Sequence, residues 1–348
     1  MYLCTERDTN IHNMRILVTG ASGFIGSFIV EEGLARGYEV WAGVRDGSSR
    51  KYLSDERIRF INLSFNDREK LTAELASFAA ENGRWDCIIH AAGVTKCLDV
   101  NDFMRVNYEG TRNFLEVLQA CNLLPERFIY LSSLSVFGPI CEEQPYRPIT
   151  EQDIPMPNTA YGKSKLAAEE FIKGFDGLNY VIMRPTGVYG PRERDYFLMA
   201  QSVKQHVDFA AGFKRQDITF IYVKDLVQAV YLGVKPEALR RAYFVSDGQV
   251  YASSTFSDLI KKELGNPWLV RIKCPLVILK LISIVAEAGA KCLGKTSTLN
   301  RDKYNIMKQR NWRCDISPIV KELGFCPEYL LERGVQETIA WYKEEKWL

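Results

Sequence analysis

The chain has 348 residues, 47% hydrophobic and 25% charged, and its 45 basic and 43 acidic side chains leave a net charge of +2. These globular values exclude disorder and fibrous repeats, and so balanced a charge gives no long-range field that would recruit nucleic acid or an anionic membrane. The length suits one large α/β unit or two unequal lobes with a sizeable core, and small-molecule chemistry is the expected role.

Along the chain, the opening "MYLCTERDTNIHN" has no basic stretch followed by an apolar core. A secretory signal is therefore not expected, a cytoplasmic location is, and residues 1–13 read as a loose extension before Met14. The nine cysteines include no C-x-x-C pair, and an odd number cannot all pair within one chain. Reduced thiols are expected, and no metal site.

From Arg15 to about Pro185, short β-rich apolar runs alternate with helical stretches, the pattern of βαβ units on a parallel sheet. "RILVTG", "YEVWAGV", "RIRFINL", "WDCIIHAAG", "RFIYLSS" and "NYVIMRP" are the predicted strands. Helices are predicted near 24–36, 66–79, 103–121 and 159–174. Right-handed crossovers then give a Rossmann-like, doubly wound α/β fold, with helices on both faces and ligands at the carboxyl ends of the strands. Residues 14–185 read as the dinucleotide-binding domain.

Beyond residue 186 the alternation becomes irregular. Helices are predicted near 224–234, 255–263, 275–293, 317–324 and 330–346, with strands at 218–223, 243–247 and 269–273. Residues 186–348 are expected to form a smaller substrate lobe that shares some segments with the first domain. Within it, "PLVILKLISIVAEAGAKCL" is interrupted by Lys280, Glu287 and Lys291, which with Ser283 make a polar stripe at helical spacing. No membrane span is expected, since a span needs about 20 apolar residues with few charges. An amphipathic helix is, packed on the lobe or at a subunit interface; a lid over an apolar cavity and monotopic membrane contact are the alternatives.

The first βα turn, "RILVTGASGFIG", holds Gly20, Gly23 and Gly26. Glycines there allow the tight turn, the close approach of backbone to a pyrophosphate, and the packing of helix on sheet, while the helix N-terminus offers free N–H groups. At the end of the second strand stands "GVRDGSSR". A carboxylate in that place favours a ribose 2′-hydroxyl and an arginine a 2′-phosphate, so Arg45, with Ser49 nearby, favours NADP(H) over NAD(H); Asp46 leaves NAD(H) open.

Further on come "HAAG" (90–93), "VNYEGTRNFLE" (106–116), "YLSSLSVFG" (130–138), "YGKSK" (161–165), "RPTGVYGP" (184–191), "FIYVKDLVQA" (220–229) and "KELGF" (321–325). In number, order and spacing, these motifs and the glycine turn resemble the extended short-chain dehydrogenase/reductase superfamily, often labelled the NAD-dependent epimerase/dehydratase family. Beside that resemblance, Tyr161 and Lys165 are four apart on a helix and share a face. A phenol must lose about 3 pKa units, or about 4 kcal/mol, to act as a base near neutrality, which a neighbouring ammonium helps to supply.

The resemblance implies that Tyr161 exchanges a proton with the substrate oxygen, Lys165 holds the nicotinamide ribose, and Ser133 hydrogen-bonds the same oxygen. Ser132, one residue off along the strand, points to the other face. It also implies a cofactor site of Ser22, Phe24 and Ile25 around the glycines, Asn62 and Leu63 near the adenine, and Ala91, Ala92 and Gly93 along a strand end. Asn107 is expected to fix the local backbone, and Pro185 and Val188 to border the carboxamide. Thr95, Ser135, Thr186, Gly187 and Arg192 are the candidate substrate contacts. His90 reads as a packed core histidine. A homodimer is implied as well.

Nucleotide-sugar members commonly carry an asparagine where this chain has Gly187, and an arginine where it has Ile218 or Thr219. Both absences favour the branch resembling dihydroflavonol reductases and 3β-hydroxysteroid dehydrogenases. Arg192, Arg194, Lys214 and Arg215 leave a phosphate-bearing sugar as the alternative. A cofactor-sensing scaffold without turnover is the remaining one, disfavoured because Tyr161 and Lys165 are both present.

Overall fold

The computed structural model describes residues 14–235, 240–292, 294, 297 and 299–348. The expected N-terminal extension, residues 1–13, lies outside them.

The first half runs β1 (Arg15–Thr19), α1 (Phe24–Ala35), β2 (Glu39–Val44), β3 (Arg59–Asn62), α2 (Arg68–Asn82), β4 (Cys87–His90), α3 (101–120), β5 (Arg127–Leu131), α4 (Ala160–Gly174) and β6 (Tyr180–Pro185). Every predicted strand and helix of this half is present. Within α3, Met104–Glu109 is π-helical. Such single-turn bulges concentrate at functional sites, and this one carries Asn107.

The second half runs β7 (Gly187–Tyr189), α5 (Asp195–Lys204), β8 (Val207–Ala211), β9 (Asp217–Ile218), β10 (Phe220–Tyr222) and α6 (Val223–Leu232). It continues with β11 (Arg241–Val245), β12 (Tyr251–Ala252), α7 (Thr255–Glu263), β13 (Val270–Cys274), α8 (Leu276–Cys292), α9 (Arg301–Lys308), α10 (Ser317–Leu323) and α11 (Leu331–Glu344). Five of these, β7, α5, β8, β12 and α9, were not anticipated. The reason is clearest for α9, "RDKYNIMK": it is only eight residues long, mostly polar, and has no fully buried residue. Its one local signal is Asn300, whose side chain caps the helix by accepting from the Lys303 N–H at 2.8 Å.

Seven strands form one parallel sheet in the order β11-β6-β5-β4-β1-β2-β3. The order reverses between β1 and β4, and there the crevice opens at the strand ends. The seventh strand, β11, comes from the segment expected to belong to the smaller lobe. Beside it in the main body lies α6, whose Tyr231 hydroxyl donates to the Ile29 carbonyl of α1 at 2.6 Å.

Both faces of the sheet are covered, so its central strands are mostly apolar and buried. One face packs Ile16, Val18 and Ile129 against Ile29, Val230 and Tyr231. The other packs Leu17, Ile88 and Phe128 against Phe78, Phe114 and Ile172. The lobe has its own aromatic core around Tyr189, Phe220, Tyr222, Phe256 and Tyr342.

Candidate active site

The β1–α1 turn forms a cradle that only glycine can build. Gly20 has φ +67°, and a Cβ on it would lie 2.8 Å from the Ala91 carbonyl and the Ala92 Cα. At Gly26 a Cβ would lie 2.1 Å from the Gly20 oxygen. β1, β4 and α1 therefore meet with no room for a side chain, and Gly23, exposed at the N-cap of α1, presents bare backbone to the crevice. Ser22, Phe24 and Ile25 line the same turn and are half-buried. The cradle suits a pyrophosphate.

At the ends of β2 and β3 lies a hollow of about 240 Å³, lined by Val44, Arg45, Asp46, Ser48, Arg50 and Asn62 among others. Asp46 is engaged there: Lys70 donates to it at 2.6 Å and Asn62 donates to its other oxygen. Lys70 first, by hydrogen bond and charge, holds its carboxyl below the usual value. The Arg45 side chain makes no ion pair among the described residues, and Arg50 lies over the Phe60 ring at 4.1 Å. Ser49 is exposed and accepts from the Lys51 N–H at 3.3 Å. Leu63 is buried at the back, where a Cβ on Gly43 would meet it at 2.7 Å.

The predicted triad is brought together where β5 meets α4. Ser133 ends the β5 segment in extended conformation and caps the short turn Leu134–Val136, accepting from the Ser135 N–H at 3.1 Å. Burial pushes the Tyr161 phenol up to about 12, and a hydrogen bond with Ser133 works the other way. Lys165, one turn along α4, donates to the Leu131 carbonyl at 2.7 Å and lies over the Tyr130 ring at 4.7 Å. Burial pushes its ammonium down to about 8, while Glu169 pulls it upward. Ser135, the alternative serine, receives a hydrogen bond from the Ser133 hydroxyl at 3.1 Å.

Around these groups is a supporting layer that motif reading saw only in part. Asn107 accepts from the Val94 N–H at 2.8 Å and donates to the Val94 carbonyl at 3.0 Å, pinning the strand-end loop. A Cβ on Gly93 would lie 3.0 Å from the Asn107 oxygen and 3.3 Å from Lys165 Nζ, so this loop, too, requires a small residue. His90 is buried, and burial first, with Lys165 second, lowers it to about 3, which keeps it neutral. It bridges Thr19 at 2.8 Å and Thr111 at 3.0 Å, while Thr19 Oγ1 accepts from the Ala92 N–H at 3.2 Å.

Ser132 points to the opposite face from Ser133 and donates to Glu169 at 2.5 Å. The buried Glu169 also receives Arg184 through Nε at 3.0 Å and Nη2 at 2.5 Å. Burial alone would raise the Glu169 carboxyl, but Arg184, Lys173 and Ser132 hold it below the usual range. No motif marked Glu169, and Arg184 stood in "RPTGVYGP" with no role assigned; the available signal was the spacing of Lys165 and Glu169 on one helix.

On the substrate side, Thr95 is exposed on the loop after β4, Pro185 is buried and Thr186 and Val188 are half-buried at the end of β6. The Thr186 hydroxyl is buried with no protein partner. A Cβ on Gly187 would lie 2.7 Å from the Tyr196 hydroxyl and 3.2 Å from Phe220, so a larger residue here requires the Tyr196 side chain to shift. The candidate substrate contact Arg192 already has partners within the chain. With φ +74° it donates to Ser27 at 2.9 Å and to Glu31 at 2.7 Å and sits between the Phe28 and Tyr52 rings, so its cation is consumed by α1. Arg215 is likewise engaged, with Asp217 at 2.6 Å.

A clasp invisible to motif reading closes the far side. Asp195 of α5 pairs with Lys96 and, at 3.2 Å, with Lys303 of α9. Asp302 accepts from the Tyr161 N–H at 3.2 Å, and Asn305 donates to the Asn158 carbonyl at 3.1 Å. Residues far apart in sequence thus fix α9 over the start of α4.

Comparison with known proteins adds a family match, two relatives and two solved structures. The model of the "NAD dependent epimerase/dehydratase family" matches residues 16–243. The chain is 27% identical over 285 residues to a 3 beta-hydroxysteroid dehydrogenase/Delta 5-->4-isomerase of Mycobacterium tuberculosis, covering 76% of this chain and 73% of that protein. It is 23% identical over 321 residues to a decarboxylating sterol-4-alpha-carboxylate 3-dehydrogenase of Dictyostelium discoideum, covering 84% and 94%. Among solved structures, UDP-glucose 4-epimerase of Thermotoga maritima with UDP-glucose superposes with a TM-score of 0.76 at 20% identity, over 96% of this chain and 100% of that one. The dTDP-glucose 4,6-dehydratase of Bacillus anthracis, in complex with NAD, does so with a TM-score of 0.74 at 18% identity, over 96% and 98%. These likenesses in structure establish the fold.

Proposed function

The chain belongs to the NAD dependent epimerase/dehydratase family, and we propose that it is an NADP-preferring oxidoreductase that interconverts a secondary alcohol and a ketone on a largely apolar substrate. The observation that carries the reaction type is the convergence of Ser133, Tyr161 and Lys165 at one strand end beside the glycine cradle. When bound, the nicotinamide would supply or accept the hydride. Gly20, Gly23 and Gly26 would hold its pyrophosphate, and Lys165 its ribose.

The chain's own residues handle the proton. Tyr161 Oη passes it to or from the substrate oxygen, and Ser133 Oγ hydrogen-bonds that oxygen to orient it. With burial holding the phenol near 12, Lys165 must remain charged for Tyr161 to ionise within reach of neutrality. Asn107 and the Leu131 carbonyl hold the loop and the ammonium in place for this.

Two observations support the finer parts of the reading. Asp46 is neutralised by Lys70 while Arg45 is free of ion pairs among the described residues, which favours a 2′-phosphate. Tyr196 and Phe220 fill the space where an asparagine would stand at residue 187, leaving an aromatic wall in place of a polar contact. The sterol-related names of two relatives agree with an apolar substrate. The second reading, epimerisation or dehydration of a nucleotide sugar, is favoured by Arg194 and Lys214, whose side chains make no ion pair among the described residues.

The test is consumption of NADPH by the purified chain with a panel of ketones and steroids, alongside thermal shift with nucleotide sugars. Turnover with a ketone that falls by about 10³-fold in Tyr161→Phe, with cofactor affinity retained, is the expected result. Unchanged turnover in that variant overturns the mechanism, and stabilisation by nucleotide sugars without net NADPH consumption favours the second reading. Arg45→Ala is expected to weaken NADPH roughly tenfold relative to NADH, as measured by the two dissociation constants.

A further inference from the structure

Arg192 stands on the turn that leaves β7 with φ +74°, a left-handed conformation that a residue other than glycine keeps only where its surroundings hold it. What holds it comes from three other parts of the chain. Its guanidinium donates to Ser27 at 2.9 Å and to Glu31 at 2.7 Å, both on α1, the helix that starts at the glycine cradle. The same group lies 4.3 Å from the centre of the Phe28 ring and 4.4 Å from that of Tyr52. From α11, Tyr342 donates to the neighbouring Glu193 carbonyl at 2.7 Å and fixes the turn itself.

Tyr52 closes the stretch that follows β2, in which Arg45, Ser48 and Arg50 line the hollow at the adenosine end of the crevice. That stretch folds on itself, with the Ser48 N–H donating to the Arg45 carbonyl at 3.0 Å and the Leu53 N–H to the Arg50 carbonyl at 2.9 Å. Its place on the protein is therefore set at its ends: by β2 on one side, and on the other by the buried Leu53 and by Tyr52. We propose that Arg192 is a positioning residue for the dinucleotide. By clamping Tyr52 to α1 it holds the 45–50 stretch against the adenosine end, while its own backbone continues from β7 at the nicotinamide end. The inference rests on the dinucleotide site of the proposed function and not on the substrate assigned there.

The chemistry of the clamp calls for arginine. A guanidinium offers a flat face to the rings and a fork to Ser27 and Glu31 at once, whereas an ammonium is a point charge that meets one of these demands. A direct substrate contact fits less well. The side chain is 14% exposed, both terminal nitrogens are engaged, and Nε is buried, so reaching a substrate would require the clamp to open. The far side of Tyr52 is backed by Trp341 of α11, the ring centres 6.5 Å apart, which keeps the tyrosine within reach of the cation.

The experiment is fluorescence titration of the full chain with NADPH and with NADH, beside thermal unfolding of the same samples. Arg192→Met and Tyr52→Leu are each expected to raise both dissociation constants roughly tenfold in chains that remain folded at the assay temperature. The double variant should bind about as weakly as either single one, because each change alone opens the clamp. Arg192→Lys should behave like Arg192→Met. Tyr52→Leu, in a half-buried loop position, carries the test if the arginine variants do not fold. A lowered melting temperature with both constants unchanged marks a merely structural role and overturns the proposal. So do losses that multiply to about a hundredfold in the double variant, which would make the two residues independent. If the native chain binds neither cofactor, the reading of the dinucleotide site falls and the clamp with it; if it binds and the variants bind equally well, only the clamp falls.

Discussion

Helices α4 and α8 both turn polar side chains toward the protein, and their outward faces differ. On α4 the inward groups are fully engaged: Lys165 with the Leu131 carbonyl, Glu169 with Arg184 and Ser132, and Ser164 with the Tyr161 carbonyl at 2.8 Å. Its outward residues Lys163, Glu170 and Lys173 are exposed charges, as water requires. On α8 the inward contacts are few, Ser283 being buried and Glu287 accepting from the Arg301 N–H, and the outward residues Ile278, Leu281, Ile282 and Val285 are apolar and exposed. Burying polar groups is tolerable where each finds a partner, so α4 is self-sufficient in water. An exposed apolar stripe has no such compensation within the chain, and α8 therefore points to something outside it.

The sharpest way to break the comparison is to remove the charge that makes the interior of α4 work. Glu169→Ala leaves Arg184 buried without its partner and should cost about 3–5 kcal/mol, read from denaturant unfolding. A loss below about 1 kcal/mol would mean that the pair is not the anchor of this face.

A second test uses pH. The Lys165 ammonium sits near 8 in the fold against an ordinary value of 10.5, so between these values the unfolded chain holds more protons than the native one. Stability should therefore rise with pH across that window, by up to about 3 kcal/mol from this group, the charge penalty being fully present below pH 8. Lys165→Met should lack that rise in otherwise identical denaturation series.

The smallest effects separate the two faces of α8. Leu279 is 6% exposed, and its replacement by Ala should cost about 2–3 kcal/mol. Leu281→Ser, two residues away on the outward face, should change stability by less than about 0.5 kcal/mol. Equal losses at both positions in thermal unfolding would show that the outward face is packed after all.

Much of the fold was legible because its signals are local. Six buried parallel strands read as apolar runs, the glycine turn is short and has few alternatives, and Tyr161 and Lys165 share a helical turn. Ser133 was separable from Ser132 by the two-residue alternation of a strand. The sequence by itself thus determined the doubly wound sheet, the cradle and the three side chains gathered at the strand end.

What only the tertiary structure decided depends on partners distant in the chain. Arg192 looked free for substrate, yet its cation belongs to Ser27 and Glu31, more than 160 residues away. The clasp of Lys96, Asp195 and Lys303 has no local pattern, and α9 is short and mostly polar, with no buried residue to betray it. For α8 the periodicity defined two faces but not which one turns inward. That choice rests on the packing of Ser283 and Glu287 against the α9 region, an energy no window of sequence contains.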